Sequence, residues 1–197
     1  MQQQTIIFLG PQGCGKGTHA ELLQAYLKRV DPQRAVLYFS AGKQLRAFVE
    51  GKSYTADLNR SIIEHGGLLP TFLSVHVFSE QLMHEMKGNE HLIVDGFPRT
   101  EDQVPVLDSA MRFYKREKPT ILYINISDEE AVKRLLLRGR ADDTEVGIKQ
   151  RLAWTREHMN PILDWFRKNP LYTVVEINGE QTIEGVHADI DKALGFQ

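Results

Sequence analysis

The residues of this 197-residue chain with the clearest chemistry are a lysine and a threonine set among glycines, Gly10-Pro11-Gln12-Gly13-Cys14-Gly15-Lys16-Gly17-Thr18. Glycines at 10, 13, 15 and 17 let a backbone curl until successive N–H groups point inward, and the helix-patterned segment 19–30 adds the positive end of a helix dipole. Such a cradle takes a phosphate. Lys16 then supplies a mobile cation for β- and γ-phosphates, and Thr18 offers a hydroxyl to phosphate oxygen or to Mg2+. An apolar run, 5–9, precedes the loop, so the order is strand, glycine loop, helix. The general spacing G-x-x-x-x-G-K-S/T is not met to the letter, because Gly17 holds the Ser/Thr place and Thr18 falls one residue late.

Further charged residues follow apolar runs. Asp95 closes the run 92–94 and leads into Gly96-Phe97-Pro98-Arg99-Thr100, which suits it to hold Mg2+ directly or through water. A plain turn or capping aspartate is the ordinary alternative. Gly96, not Glu, comes next, and the lack of a carboxylate to activate water leans toward transfer to an acceptor other than water. Arg99 is a second cation for the same cleft. Arg46 sits one helical turn inside the helix that the segment after the run 36–39 enters. Arg134 and Arg138 are four apart and share a helix face, with Gly139, Arg140, Asp142, Asp143 and then Arg151 after them. Salt-bridged surface is the bland reading of these arginines. Phosphoryl transfer is the sharper one, since it concentrates charge on oxygens that bidentate arginines can hold.

The elements that must position these groups alternate. Runs 6–9, 36–39, 92–94, 121–126 and 172–177 read as near-continuous apolar strands, as in a parallel sheet covered on both faces. Between them, Val75, Phe78, Leu82 and Met86 keep helical spacing, as do Ile148, Leu152, Thr155, Met159, Ile162 and Phe166, with Pro161 a kink. One doubly wound α/β domain with helices on both faces follows. Segment 46–71, broken by Gly51, Gly66, Gly67 and Pro70, reads as an insert able to close over a ligand. A hydrophobic fraction of 42% supports a real core, and the net charge of −2 argues against nucleic-acid coating or binding to an anionic membrane. No apolar stretch approaches the roughly 20 residues of a membrane span, and the polar start MQQQT does not read as a signal peptide, so a cytoplasmic protein is expected. Cys14 is the one cysteine, and the seven histidines lack metal-ligand spacing, so no structural zinc is expected.

The G-x-x-G-x-G-K-G-T loop, Ser40-Ala41-Gly42-Lys43-Gln44-Leu45-Arg46, Asp95 to Thr100 with Gln103 after it, and Arg138-Gly139-Arg140-Ala141-Asp142-Asp143 together resemble an adenylate kinase. The late Thr18 fits that resemblance, which runs in order over nearly the whole chain. It implies a phosphate-loop NTPase-like fold with a five-stranded parallel sheet and one kinase domain over 1–197. The core is expected at 1–39, 73–137 and 144–197, with a nucleoside-monophosphate-binding insert at about 40–72 and a short lid at about 138–143. It implies ATP and AMP as substrates, ADP as product, Mg2+ as cofactor and a monomer. ATP would meet Gly13, Cys14, Gly15, Lys16, Gly17, Thr18, Arg138 and the backbone around Gln181, with Arg134 stacked on its base. The monophosphate would meet Ala41, Arg46, Gly67, Leu68, Leu69, Gly96, Phe97, Pro98, Arg99 and Gln103, the last reading its base. Lys16, Arg99, Arg138, Arg140 and Arg151 would serve catalysis, with Arg140 and Arg151 spanning both substrates, and Asp95 would hold Mg2+ through water.

Some positions depart from that pattern. Ala41 stands where adenine-specific members usually carry Thr, and Lys43 where they carry Asp, whereas Thr100 and Gln103 keep the adenine pattern. AMP is the expected acceptor, with a UMP/CMP kinase of the same mechanism as the alternative. A nucleotide-sensing module without turnover is the rival from another class. With Ala41 in place of Thr, CMP or UMP should be detectably used.

Overall fold

Five strands pair in the order β2-β3-β1-β4-β5, all parallel: β1 (Thr5–Leu9), β2 (Val36–Ser40), β3 (His91–Asp95), β4 (Thr120–Asn125) and β5 (Thr173–Asn178). The computed structural model describes residues 1–140 and 143–196. β1 lies between β3 and β4, so the chain leaves its carboxyl end where the sheet order reverses, which is where open α/β sheets bind ligands.

The helices are α1 (Lys16–Val30), α2 (Ala41–Val49), α3 (Tyr54–Glu64), α4 (Thr71–Glu85), α5 (Val104–Phe113), α6 (Asp128–Arg138), α7 (Glu145–Lys168) and α8 (Ile183–Leu194). Residues alternate between the two sheet faces. Ile7, Leu9, Phe39 and Val94 pack with residues of α2, α4, α5 and the later half of α7. Ile6, Phe8, Ile93 and Leu122 pack with residues of α1, α6 and α8 and with Ile148 and Leu152 of α7. The expected doubly wound α/β fold is therefore present.

Four expectations change in detail. β4 runs one residue earlier at both ends than its apolar run and β5 one residue later, because the ladder pairs Thr120 with Thr173 and Asn125 with Asn178, polar residues that an apolar pattern does not register. Tyr172 and Ile126 are buried by packing outside the ladder. Only the central strand is covered throughout: β1 is buried at all five positions and β3 at all but its last, whereas β4 opens toward its end, β2 alternates and β5 is mostly open. On α4 the buried residues are Leu73, Ser74, Val77, Phe78 and Leu82, so Val75 and Met86 flank the stripe rather than define it. Helix α7 continues through Pro161, which sits at an exposed position.

Helix starts are set by short polar residues. Ser53, Ser127, Thr144 and Thr182 accept backbone N–H groups in the first turns of α3, α6, α7 and α8. Helix α1 instead begins at Gly15 in the left-handed region, φ 99°, with no side-chain cap.

Candidate active site

A cleft of about 530 Å³ opens along the carboxyl ends of the strands, between the glycine loop, the start of α2, the segment after α3, the end of α6 and α7. Among the described residues, eight cationic side chains line it (Lys16, Lys43, Arg46, Arg99, Arg134, Arg138, Arg140 and Arg151) against two carboxylates, Glu21 and Asp95. In a chain of net charge −2, this concentrates positive potential in one place. The cleft is built for polyanions.

The loop supplies its floor. Gly10, Gly13 and Gly15 all have positive φ, which leaves the backbone curled around the cleft. Lys16 folds back over the loop, its Nζ donating to the carbonyls of Gly10 at 2.8 Å and Pro11 at 2.7 Å. Gln12 is tied across the cleft, its Oε1 accepting from the Thr155 hydroxyl of α7 at 3.0 Å. Cys14 is buried in the core behind the loop, 1% exposed, and does not line the cleft.

Asp95 ends β3 beside this floor: a Cβ on Gly17 would lie 4.0 Å from Asp95 Oδ2. That oxygen accepts the Tyr38 hydroxyl at 3.1 Å and the Ser40 hydroxyl at 3.4 Å. Burial, reinforced by the Asp95 charge, raises the Tyr38 phenol above its ordinary range, so Tyr38 stays a proton donor to the carboxylate.

Two arginines converge over α2. A single point, the Cβ position of Gly42, lies 3.2 Å from Arg46 Nη1 and 3.6 Å from Arg99 Nη2. Arg99 is anchored by its Nε donating to the Gly96 carbonyl at 2.9 Å. Burial lowers its guanidinium pKa, Asp95 opposes that shift, and Arg46 and Arg151 add to it; it remains charged, among cations that an incoming phosphate would neutralise.

The third group gathers on Asp143, whose side chain is fully buried. Arg151 Nη2 donates to its Oδ1 at 2.8 Å, Arg138 grips both oxygens, and the Arg140 backbone N–H donates to Oδ2 at 3.2 Å. Burial alone would raise the carboxyl pKa, but the Arg138 hydrogen bond and charge, with Arg140 and Arg151, hold it below the usual range. Of the expected lid, Ala141 and Asp142 lie outside the described residues. Arg134 ties α6 to the loop after β5, its Nη2 donating to the Gly179 carbonyl at 2.9 Å and its Nε to Glu130 at 2.7 Å.

The structure thus brings Gly13, Gly15, Lys16, Gly17, Thr18, Arg46, Gly67, Leu69, Asp95, Gly96, Pro98, Arg99, Arg134, Arg138, Arg140 and Arg151 to one cleft. Other residues singled out from the sequence do not line it. Ala41 is 1% exposed and packs in the core, as does Phe97, whose peptide bond to Pro98 is cis. Leu68 lies off the cleft lining, and Gln181 turns its amide to the Asn178 carbonyl and to Asp189. Gln103 is wholly buried, its Oε1 accepting the Arg99 backbone N–H at 2.8 Å and its Nε2 left without a partner. That bond fixes which way the amide faces.

Several lining residues carry no motif: Glu21, Tyr38, Ile63, Gly66, Trp154 and Met159. Tyr38 stood in the sequence as one more residue of an apolar strand. The Gly66-Gly67 pair was the only mark of the wall that Trp154 joins.

The adenylate kinase family model matches residues 8–171. The chain belongs to the adenylate kinase family. Among curated adenylate kinases, that of Prochlorococcus marinus strain MIT 9303 is 32% identical over 98% of this chain and 99% of its own. That of Synechococcus sp. strain RCC307 is 33% identical over 96% and 97%, and that of Bacteroides thetaiotaomicron 30% identical over 96% and 97%. The adenylate kinase match spans every described residue that lines the cleft, from Phe8 to Met159. Among the described residues no helix is long and apolar enough to cross a membrane.

Proposed function

We propose that this chain catalyses reversible, Mg2+-dependent transfer of the γ-phosphoryl group of ATP to AMP, giving two ADP. The observation that carries this reading is that the phosphate loop, the Arg46–Arg99 pair and the arginines held by Asp143 all line one cleft. One nucleotide does not need three cationic groups from three parts of the chain; a donor and an acceptor, each bearing phosphate, do.

In this reading the loop amides and Lys16 hold the ATP phosphates while Arg134 lies against its base. Arg46 and Arg99 grip the phosphate of AMP, and the Nε2 of Gln103 donates to its base. Arg138, Arg140 and Arg151 meet the equatorial oxygens of the phosphoryl group in flight, where charge is spread and fixed donors count most. No covalent intermediate on the protein is required. The chain positions the two nucleotides, neutralises charge and excludes water that would otherwise accept the phosphoryl group.

The donors near the loop suit Mg2+: the Asp95 carboxylate and the Thr18 hydroxyl are hard oxygens, few enough for an ion that keeps its waters and takes most remaining ligands from phosphates. When bound, the ion would supply charge neutralisation to the ATP phosphates, held on the protein side by Asp95 and Thr18. Asp95 is oriented for this by Tyr38 and Ser40. We further propose a cytoplasmic monomer, as the family resemblance suggests. The UMP/CMP kinase reading is not favoured, since the curated relatives are named adenylate kinase and Ala41, its main witness, faces the core.

The test is a coupled assay with Mg-ATP and a panel of AMP, CMP, UMP and GMP. AMP should give the highest kcat/KM. Binding of both nucleotides without ADP formation would overturn the catalytic reading, and CMP or UMP exceeding AMP would overturn the choice of acceptor.

A further inference from the structure

The segment after α3 is pressed onto α7. Gly66 has φ +70°, and a Cβ there would stand 2.5 Å from the carbonyl oxygen and 2.6 Å from the Cα of Gly147, so the two backbones approach as only glycine permits. Seven residues along α7 from Gly147, Trp154 donates its indole Nε1–H to the Gly66 carbonyl at 3.2 Å, across 88 positions of sequence. Arg151 lies between them. Positions 147, 151 and 154 follow the 4-3 spacing of one helix face, and Gly66, Gly67, Arg151 and Trp154 all border the cleft.

One stripe of α7 therefore serves two ends. Arg151 reaches Asp143 and the arginines that it holds, and Trp154 with Gly147 reaches the wall formed by Gly66 and Gly67. The indole is half-buried, so its N–H gives up water for the Gly66 carbonyl and keeps a hydrogen bond only while that wall stays seated.

We infer that Trp154 is a positioning residue for the monophosphate substrate, its indole N–H seating the Gly66-Gly67 wall on the same face of α7 that presents Arg151. This rests on the reading that AMP occupies the part of the cleft bordered by Arg46, Arg99 and Gly67. Seating of the wall and placement of Arg151 then become one event, so a monophosphate that packs against the wall also sets an arginine for transfer.

The test is Trp154→Phe, which keeps the aromatic body and removes the N–H. The KM for AMP should rise about 3- to 10-fold, the size of one hydrogen bond, while the KM for ATP stays within about 2-fold. A second measurement uses wild-type protein alone: tryptophan emission should change saturably on titration with AMP, and the change should vanish in Trp154→Phe. An unchanged KM for AMP, both KM values rising together, or an AMP-induced emission change that persists in the variant overturns the inference. If the variant does not fold, the wild-type titration decides, and constant emission at saturating AMP overturns it. Failure of the wild type to phosphorylate AMP would instead overturn the activity reading, and the AMP titration would still judge Trp154.

Discussion

Asp143 takes Arg138 through both carboxylate oxygens, Nε to Oδ2 at 2.9 Å and Nη2 to Oδ1 at 2.8 Å, with its own side chain wholly out of solvent. The same Oδ1 accepts Arg151. One buried anion therefore aims two guanidinium groups, one from the end of α6 and one from α7. Asp143→Asn keeps the shape and removes the charge. We expect kcat to fall at least about 100-fold, and stability to drop by about 3 kcal/mol because Arg138 and Arg151 lose the buried anion that they share. Steady-state kinetics and urea unfolding measure the two effects, and a variant normal in both would show that the arginines orient themselves.

Acid should weaken the fold through His19. Its ring is 3% exposed, stacked on His187 at 5.8 Å between α1 and α8. Burial, with the nearby His187 and Arg134, lowers its pKa to about 4. The unfolded chain, with His near 6.5, binds the proton first, so stability is full above about pH 6.5 and declines as pH falls toward 4. The loss reaches about 3 kcal/mol at most. Unfolding free energies measured from pH 7 to 4.5 should decline in the wild type and stay flatter in His19→Gln. Parallel profiles would assign the acid sensitivity elsewhere.

Lys16→Met should cut kcat by at least about 100-fold, since loss of one preorganised charge donor at a transition state costs roughly 3 kcal/mol. The carbonyls of Gly10 and Pro11 lose a donor too, so thermal melts belong beside the kinetics. Unchanged turnover would remove Lys16 from the chemistry.

On the proposed reading, base choice rests on Gln103, whose orphaned Nε2 is the donor an incoming base would meet, rather than on Ala41. Ala41 is 1% exposed, so Ala41→Thr should overpack the core and cost about 1–3 kcal/mol without sharpening selection for AMP. Gln103→Ala removes the orphaned Nε2 donor and frees the Arg99 N–H. AMP should lose kcat/KM by about 10- to 200-fold relative to the other monophosphates, the scale of one altered pocket contact. The panel assay on both variants checks this, and a selectivity shift in Ala41→Thr with none in Gln103→Ala would reverse the assignment.

Much of this site was legible because its chemistry is local in sequence. Glycine spacing, a strand before and a helix after define the phosphate loop, and arginines four apart define a shared face. Asp143 was harder to read, since an aspartate just before a helix passes for a cap. Its three-way grip depends on Arg151 arriving from one side and Arg138 from the other. Trp154 carried no signal, because an indole bonded to a carbonyl 88 residues away obeys no spacing rule. Ala41 misled for a related reason: the residue type was plain, but which side of α2 faces the cleft is decided by packing against Phe39 and its neighbours.

The unclosed start of α1 has a consequence for how the protein persists. Helices α3, α6, α7 and α8 finish their own first turns with a hydroxyl, whereas α1 begins at a left-handed glycine and leaves that task to whatever anion meets it. On the proposed reading, a nucleotide phosphate would complete that first turn. Folding and metabolite level are thereby linked: resistance to unfolding grows with the logarithm of nucleotide concentration above its dissociation constant, by about 2.7 kcal/mol at a hundredfold excess. The catalyst lasts longest where its own substrates are plentiful.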